Sequence, residues 1–288
     1  TLLDSILPKL IAQHNNGVLM DTARSRAAAA RLIRRVKATA YAGVEQLRRG
    51  EFSISGTETE FGIGKRYPEL ILELPGGGRY ILSGRIDRID SYTSDSGEKF
   101  VRVIDYKSKS GSVFDCADIA DGKRLQLPLY IAAIEAAGAA ERAAGMYYLP
   151  VHEGIINSSG KEDDFGARIL KEFRLRGACL NDAELIELGG GEDVQPTARS
   201  GWRLSEEQLK GTVSFAVDKA KQTAYKIAKG HAEAYPLMSK ENKTECKWCD
   251  YNSVCGFDAT LPCCKYRRAS IIKKDDFLEE VSHAQLDR

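Results

Sequence analysis

Two runs, YILSGRID at 80–87 and FVRVIDYK at 100–107, set carboxylates among strand-forming apolar residues, and this restricts the fold more than any other feature of the chain. Both are rich in β-branched and aromatic residues, and the polar stretch SYTSDSGEK at 91–99 suits the loop between them. An antiparallel strand pair is predicted. Side chains alternate across a strand, so Asp105 and Lys107 share one face and Tyr106 takes the other. If the first strand lies alongside, Asp87 or Asp90 brings a second carboxylate to that face. Ile86 and Ile104 precede the acids, and an uncompensated carboxylate in such apolar company is costly. Acids placed there serve a purpose.

Around this pair the chain alternates helical and extended patterns. One long helix is predicted from Asp21, as N-cap, to Gly50, as the residue past its end, with Ile33, Val36, Ala40, Val44 and Leu47 at steps of three and four. Its basic residues Arg24, Arg26, Arg31, Arg34, Arg35 and Lys37 either meet phosphates or form a solvated face. Short strands separated by GGG at 76–78 fill much of 51–107. A helix is expected over 123–137 and a buried strand over 145–151. Residues 152–203 are polar and Gly-rich, suggesting loops, short strands and an inserted flap. A second long helix starts at Ser205, where Ser-Glu-Glu-Gln fits a capping box, and runs through Leu209, Val213, Ala216, Ala220, Ala224 and Ile227 to Gly230. The class is α/β, with a core over 1–235, the insertion near 152–203 and a Cys-rich tail over 236–288.

With 288 residues, 43% of them hydrophobic, the chain can bury a full core. No run approaches the roughly 20 apolar residues of a membrane span, and the start lacks signal-peptide features, so a cytoplasmic protein without membrane contact is expected. The first residue, Thr1, is the expected start of a piece of a longer protein. A net charge of +1 exerts no global pull on nucleic acid, so any DNA contact must come from local basic patches. GIGKRY at 62–67 lacks both the leading Gly and the Ser/Thr of a phosphate-binding loop, so ATP use by this segment is not expected.

Two carboxylates and a carbonyl oxygen make a hard, oxygen-only site suited to Mg²⁺ or Mn²⁺ rather than zinc. A lysine beside it orients or deprotonates water and offsets charge on a phosphate. This is chemistry for phosphodiester hydrolysis, although an isolated D-x-K on a strand also arises as a plain ion pair. Gln126 and Tyr130, four apart on the following helix, either hold a base or phosphate or are a surface Gln above a core Tyr. Five of the seven cysteines crowd between Cys246 and Cys264, which points to metal binding before disulfides. Cys246-x2-Cys249-x5-Cys255 offers three soft ligands for an iron–sulfur cluster or zinc, with Cys116, Cys179, Cys263 and Cys264 open as a fourth.

GRIDRID, VIDYKS and QLPLY together resemble the RecB-type PD-(D/E)-x-K nuclease family, whose motifs are G-x-x-D-R-h-D, h-D-Y-K-(S/T) and Q-x-x-x-Y. The resemblance implies a restriction-endonuclease-like mixed sheet flanked by helices. It makes Asp87 and Asp105 metal ligands, Lys107 the catalytic lysine, and Gln126 and Tyr130 accessory, and it selects Asp87 over Asp90. The family's glutamate ahead of these strands falls on Glu58, with Glu60 as fallback. Its leading G-x-x-x-H motif is not matched, because His14 lacks the preceding Gly; the His is expected upstream of Thr1 or is absent. CKWCDYNSVCGFD, with GMYYLPVHEG and the late YRR, is similar to AddB-type subunits of ATP-dependent deoxyribonucleases. That likeness implies a 4Fe–4S cluster on Cys246, Cys249, Cys255 and a cysteine upstream of this chain, and an AddA-type subunit as heterodimer partner on DNA. The expected function is a metal-dependent DNA exonuclease domain of a helicase–nuclease complex resecting double-strand breaks. The iron–sulfur nuclease of CRISPR adaptation, usually shorter, and a non-catalytic DNA-binding scaffold of the same fold are the alternatives.

Overall fold

The computed structural model describes residues 2–108, 114–138, 141–152, 165–197 and 201–286. Helices α1 (Leu2–Gln13), α2 (Val18–Asp21) and α3 (Ala23–Arg48) lead into strands β1 (Ser53–Phe61), β2 (Leu70–Glu73), β3 (Arg79–Leu82), β4 (Gly84–Thr93) and β5 (Lys99–Lys107). Then come α4 (Cys116–Ala120), α5 (Gln126–Glu135), β6 (Glu141–Pro150), α6 (Phe165–Glu172) and β7 (Arg176–Leu180). Helices α7 (Ala183–Leu188) and α8 (Gly191–Val194), strand β8 (Trp202–Leu204) and helix α9 (Glu206–Ala228) follow. The chain closes with β9 (Leu237–Met238), α10 (Asn252–Cys255), β10 (Arg267–Arg268) and α11 (Lys274–Leu286).

Two compact units are interleaved along the chain. The first holds residues 1–59, 85–114 and 140–205; the second holds 60–84, 115–139 and 206–288. Neither unit has a boundary at 235, and residues 236–288 belong to the second together with α9.

The first unit is built on a six-stranded sheet of order β1-β4-β5-β6-β7-β8. Pairing is antiparallel for β4/β5 and β6/β7 and parallel for β5/β6 and β7/β8, so the sheet is mixed. Its centre is dry: Ile86, Ile89, Val103 and Ile104 are fully buried, each such side chain contributing about 1.5–3 kcal/mol of hydrophobic stabilisation. On the Ile104 face, Tyr147 and Leu149 of β6 pack with Ala42 of α3, Leu170 of α6 and Phe173 just beyond it.

The long first helix departs from expectation in two ways. Its N-cap is Thr22, not Asp21, because Thr22 and Ser25 close a reciprocal capping box. Its buried residues are Ala29, Thr39, Ala42 and Gln46, whereas Val44 of the predicted stripe is 47% exposed. Small residues let α3 lie close to α6, and Gln46 Nε2 donates to the Phe173 carbonyl at 2.7 Å. The Ile33 and Val36 end of the stripe instead lines an apolar cleft together with Leu7, Leu10 and Leu19 of α1 and α2.

YILSGRID is not one strand. Residues 79–82 pair with β2 as a separate hairpin across the GGG turn, and β4 starts at Gly84. A Cβ on Gly84 would sit 2.9 Å from the Phe61 ring, so only glycine lets the chain pass there. β4 also runs on to Thr93, shortening the predicted loop to a turn closed by Ser94 N–H on the Glu98 carbonyl at 2.8 Å. The predicted flap region, outside the undescribed 153–164 and 198–200, supplies two strands of the sheet and the core residues Leu170, Phe173, Leu175 and Val194.

In the second unit α9 packs against α5 and α11, with Phe215 and Phe277 edge to face at 5.3 Å. The helix starts directly after Ser205, and its end is followed by Gly230 at φ +74°, a left-handed stop. β9 and β10 form a short parallel pair beside the cysteine-bearing turns. No helix of the described residues is long and apolar enough to cross a membrane.

Candidate active site

β4 and β5 run antiparallel, with Arg88 opposite Ile104 at one end of their paired register. One residue further on each strand stand Asp87 and Asp105. Asp87 Oδ2 accepts the backbone N–H of Tyr106 at 2.9 Å, which ties its carboxylate to the neighbouring strand. Asp105 is only 2% exposed. Lys107, two residues along the same face and partly exposed, forms an ion pair with Asp105 Oδ2. That buried oxygen nonetheless receives no well-directed hydrogen bond. Burial pushes the Asp105 carboxyl above its ordinary range; Lys107 opposes the shift and the negative charge of Asp87 adds to it.

Strand β6 borders the pair on the other side of β5, with Tyr148 opposite Asp105 and Pro150 opposite Lys107. Tyr148 is buried, and Lys107 Nζ lies 5.4 Å from the centroid of its ring. The sequence marks Tyr148 only as part of a buried strand, because interstrand register is not written in it.

Asp90 meets a different fate. Three residues beyond Asp87, it faces the opposite side of β4, where Arg88 clamps it through Nε to Oδ1 at 2.6 Å and a second nitrogen to Oδ2 at 2.8 Å. Arg102 Nε adds a bond to Oδ2 at 2.9 Å, and the same guanidinium donates to the Gly189 carbonyl at 3.1 Å. All three side chains are almost wholly buried.

A model of the PD-(D/E)XK nuclease superfamily matches residues 1–256. The chain belongs to this superfamily. It is also similar to proteins named as the B subunit of an ATP-dependent helicase/deoxyribonuclease. The one from Alkaliphilus metalliredigens is 26% identical over 97% of this chain and 26% of its own length. That from Moorella thermoacetica is 35% identical over 80% of this chain and 22% of its own. That from Caldanaerobacter subterraneus is 29% identical over 92% and 24% respectively. The chain spans about a quarter of the length of the curated relatives it matches.

Most of the other residues singled out in this PD-(D/E)XK chain have partners of their own. Glu58 sits at φ +46°, a left-handed backbone that costs a non-glycine residue about 1 kcal/mol, and pairs with Arg85 Nε at 3.2 Å in the open. Glu60 pairs with Lys65 at 2.5 Å in the second unit. Gln126 and Tyr130 also belong to the second unit, where exposed Gln126 donates through Nε2 to the hydroxyl of buried Tyr130 at 2.6 Å. His14 is exposed in a turn after α1. The basic residues of α3 are mostly exposed, but Lys37 forms an ion pair with Asp4 and Arg26 donates to the Met20 carbonyl at 2.9 Å.

Among the described residues no three His, Cys, Asp or Glu side chains cluster as a metal group. Two carboxylates do suffice in kind for a Mg²⁺-like ion, which completes its shell with water and substrate phosphate. The buried, under-bonded Asp105 oxygen beside Asp87 fits that demand. In the tail Cys246, Cys249 and Cys255 are free thiols on two short helical turns, with Cys249 N–H on the Cys246 carbonyl at 3.2 Å and Thr244 Oγ1 donating to Cys246 Sγ at 3.2 Å. Cys263 and Cys264 are free as well, whereas Cys116 and Cys179 are buried, the former donating to the Ile272 carbonyl at 3.5 Å.

Proposed function

We propose that this domain hydrolyses DNA phosphodiester bonds as a Mg²⁺- or Mn²⁺-dependent exonuclease, and that it works within an AddAB-type complex, paired with an AddA-type helicase–nuclease subunit, that resects double-strand breaks. The observation carrying the hydrolytic reading is the carboxylate pair Asp87 and Asp105 with Lys107, of which Asp105 is buried yet under-bonded. The likeness to deoxyribonuclease B subunits supports the DNA substrate and the partner.

In this reading Asp87 and Asp105 hold the cation, and the cation, when bound, supplies positive charge against the scissile phosphate and acidifies water. Lys107 orients the attacking water and offsets the charge that builds on the phosphate oxygens. Its partial exposure leaves the ammonium accessible to substrate. Asp87, fixed by the Tyr106 N–H, keeps the second carboxylate still, which limits reorganisation during attack. Glu58, Gln126 and Tyr130 are proposed as accessory residues on the strength of their motif positions.

Mg²⁺-dependent digestion of single-stranded DNA by the wild type, Asp105→Ala and Lys107→Ala tests this reading: both variants are expected to lose activity, and equal activity in all three removes the mechanism. For the tail, Cys246, Cys249 and Cys255 are proposed ligands of a 4Fe–4S cluster. Anaerobically purified full-length protein is expected to be brown; a colourless, zinc-loaded sample defeats that assignment.

A further inference from the structure

Lys107 ends β5, where its carbonyl accepts the Val151 N–H at 2.8 Å and Pro150 stands opposite it. Its backbone is therefore anchored while its side chain, long and flexible, carries the charge that must be aimed. Asp105 attracts the ammonium, but a carboxylate that also serves a cation divides its charge between the two. A neutral group that draws the ammonium without competing for that charge would keep it aimed.

Tyr148 has the position for this. The β5/β6 register sets it beside Asp105, the residue is 2% exposed and therefore held by packing, and Lys107 Nζ is 5.4 Å from its ring centroid, inside the roughly 6 Å reach of a cation–π contact. We propose that Tyr148 is a positioning residue for the nuclease reaction, its aromatic face holding the Lys107 ammonium over the Asp87–Asp105 pair. The role rests on the nuclease reading above, but the contact can be tested without it. Neighbouring Tyr147 cannot substitute, since it points to the other face, where its hydroxyl donates to Gln195 Oε1 at 2.7 Å.

The experiment places phenylalanine, then mono-, di- and trifluorophenylalanine, at position 148 of the chain. Fluorination drains the ring's negative face with little change of shape, so folding is preserved. Tyr148→Phe, which keeps the aromatic face and removes the hydroxyl, is the reference against which kcat on single-stranded DNA with Mg²⁺ is read. The fluorinated series is expected to lower kcat stepwise, by about three- to thirty-fold at the trifluoro stage, with KM unchanged. In metal-free ¹³C-lysine-labelled protein, the Lys107 ε-methylene signal, assigned by Lys107→Arg, is expected at a ring-shifted position in the wild type and Tyr148→Phe. In Tyr148→Leu it is expected at an ordinary lysine position. A flat fluorination series in an active enzyme, or an unshifted Lys107 signal in the wild type, overturns the positioning role alone. A wild type that cleaves no DNA overturns the nuclease reading and the proposal with it.

Discussion

Asp105 and Asp90 lie on adjacent strands of one sheet, both almost removed from water, and differ in how they are answered. Asp90 receives three charge-assisted hydrogen bonds from Arg88 and Arg102, so its lone pairs are occupied and its charge is compensated twice over. Asp105 has the single ammonium of Lys107 and the repulsive neighbour Asp87, and one of its oxygens lacks a directed donor. A buried acid that is fully bonded knits strands together, whereas one short of donors still has a lone pair to offer. Asp90 thus lies on one face of the β4/β5 pair, and Asp87 and Asp105 on the other.

Paired Asn substitutions break this contrast most readily. Asp87→Asn is expected to reduce DNA cleavage by a factor on the order of 10³, about 4 kcal/mol of transition-state stabilisation, while urea denaturation stays close to wild type because Asn still accepts the Tyr106 N–H. Asp90→Asn should do the reverse. It leaves two buried guanidinium groups short of charge, with an expected loss of about 3–5 kcal/mol in urea denaturation. If Asp90→Asn were as stable as wild type, the clamp would not be structural.

A smaller effect sharpens the metal side. Mg²⁺ at about ten times its dissociation constant should stabilise the wild type by about 1.4 kcal/mol in thermal melts, and Asp105→Ala not at all. A shift of equal size in the variant would place the ion elsewhere. Smallest is the pH dependence without metal. Because burial raises the Asp105 pKa in the folded state, its contribution to stability is present below the ordinary carboxylate value and lost as pH rises through the raised one. The stability of Asp105→Asn relative to wild type should therefore climb over that window in EDTA, measured by urea denaturation at stepped pH. A flat difference would mean that the folded protein does not perturb this acid.

Much of this was legible in the residues themselves. Period-two alternation put Asp105 and Lys107 on one face, and period-three-to-four spacing located α3 and α9, since both follow from backbone geometry alone. Short strands were expected in the polar stretch that holds the five-residue β7 and three-residue β8, but segments so short carry no period from which their bounds or their place in the sheet could be read. The Asp90 clamp was equally hidden. Arg88 lies two residues from Asp90, but Arg102 reaches it only through the β4/β5 register.

What the sequence determined by itself was the inventory of the acid pair: two aspartates in apolar strands and a lysine two residues after one of them. The tertiary structure decided their circumstances, setting Asp87 next to Asp105 across two strands, giving Asp90 to two arginines and bringing Tyr148 under Lys107. The physical reason is one of range. Alternation along a strand is fixed by neighbouring peptide units, whereas register and burial are set by contacts between residues far apart in the chain.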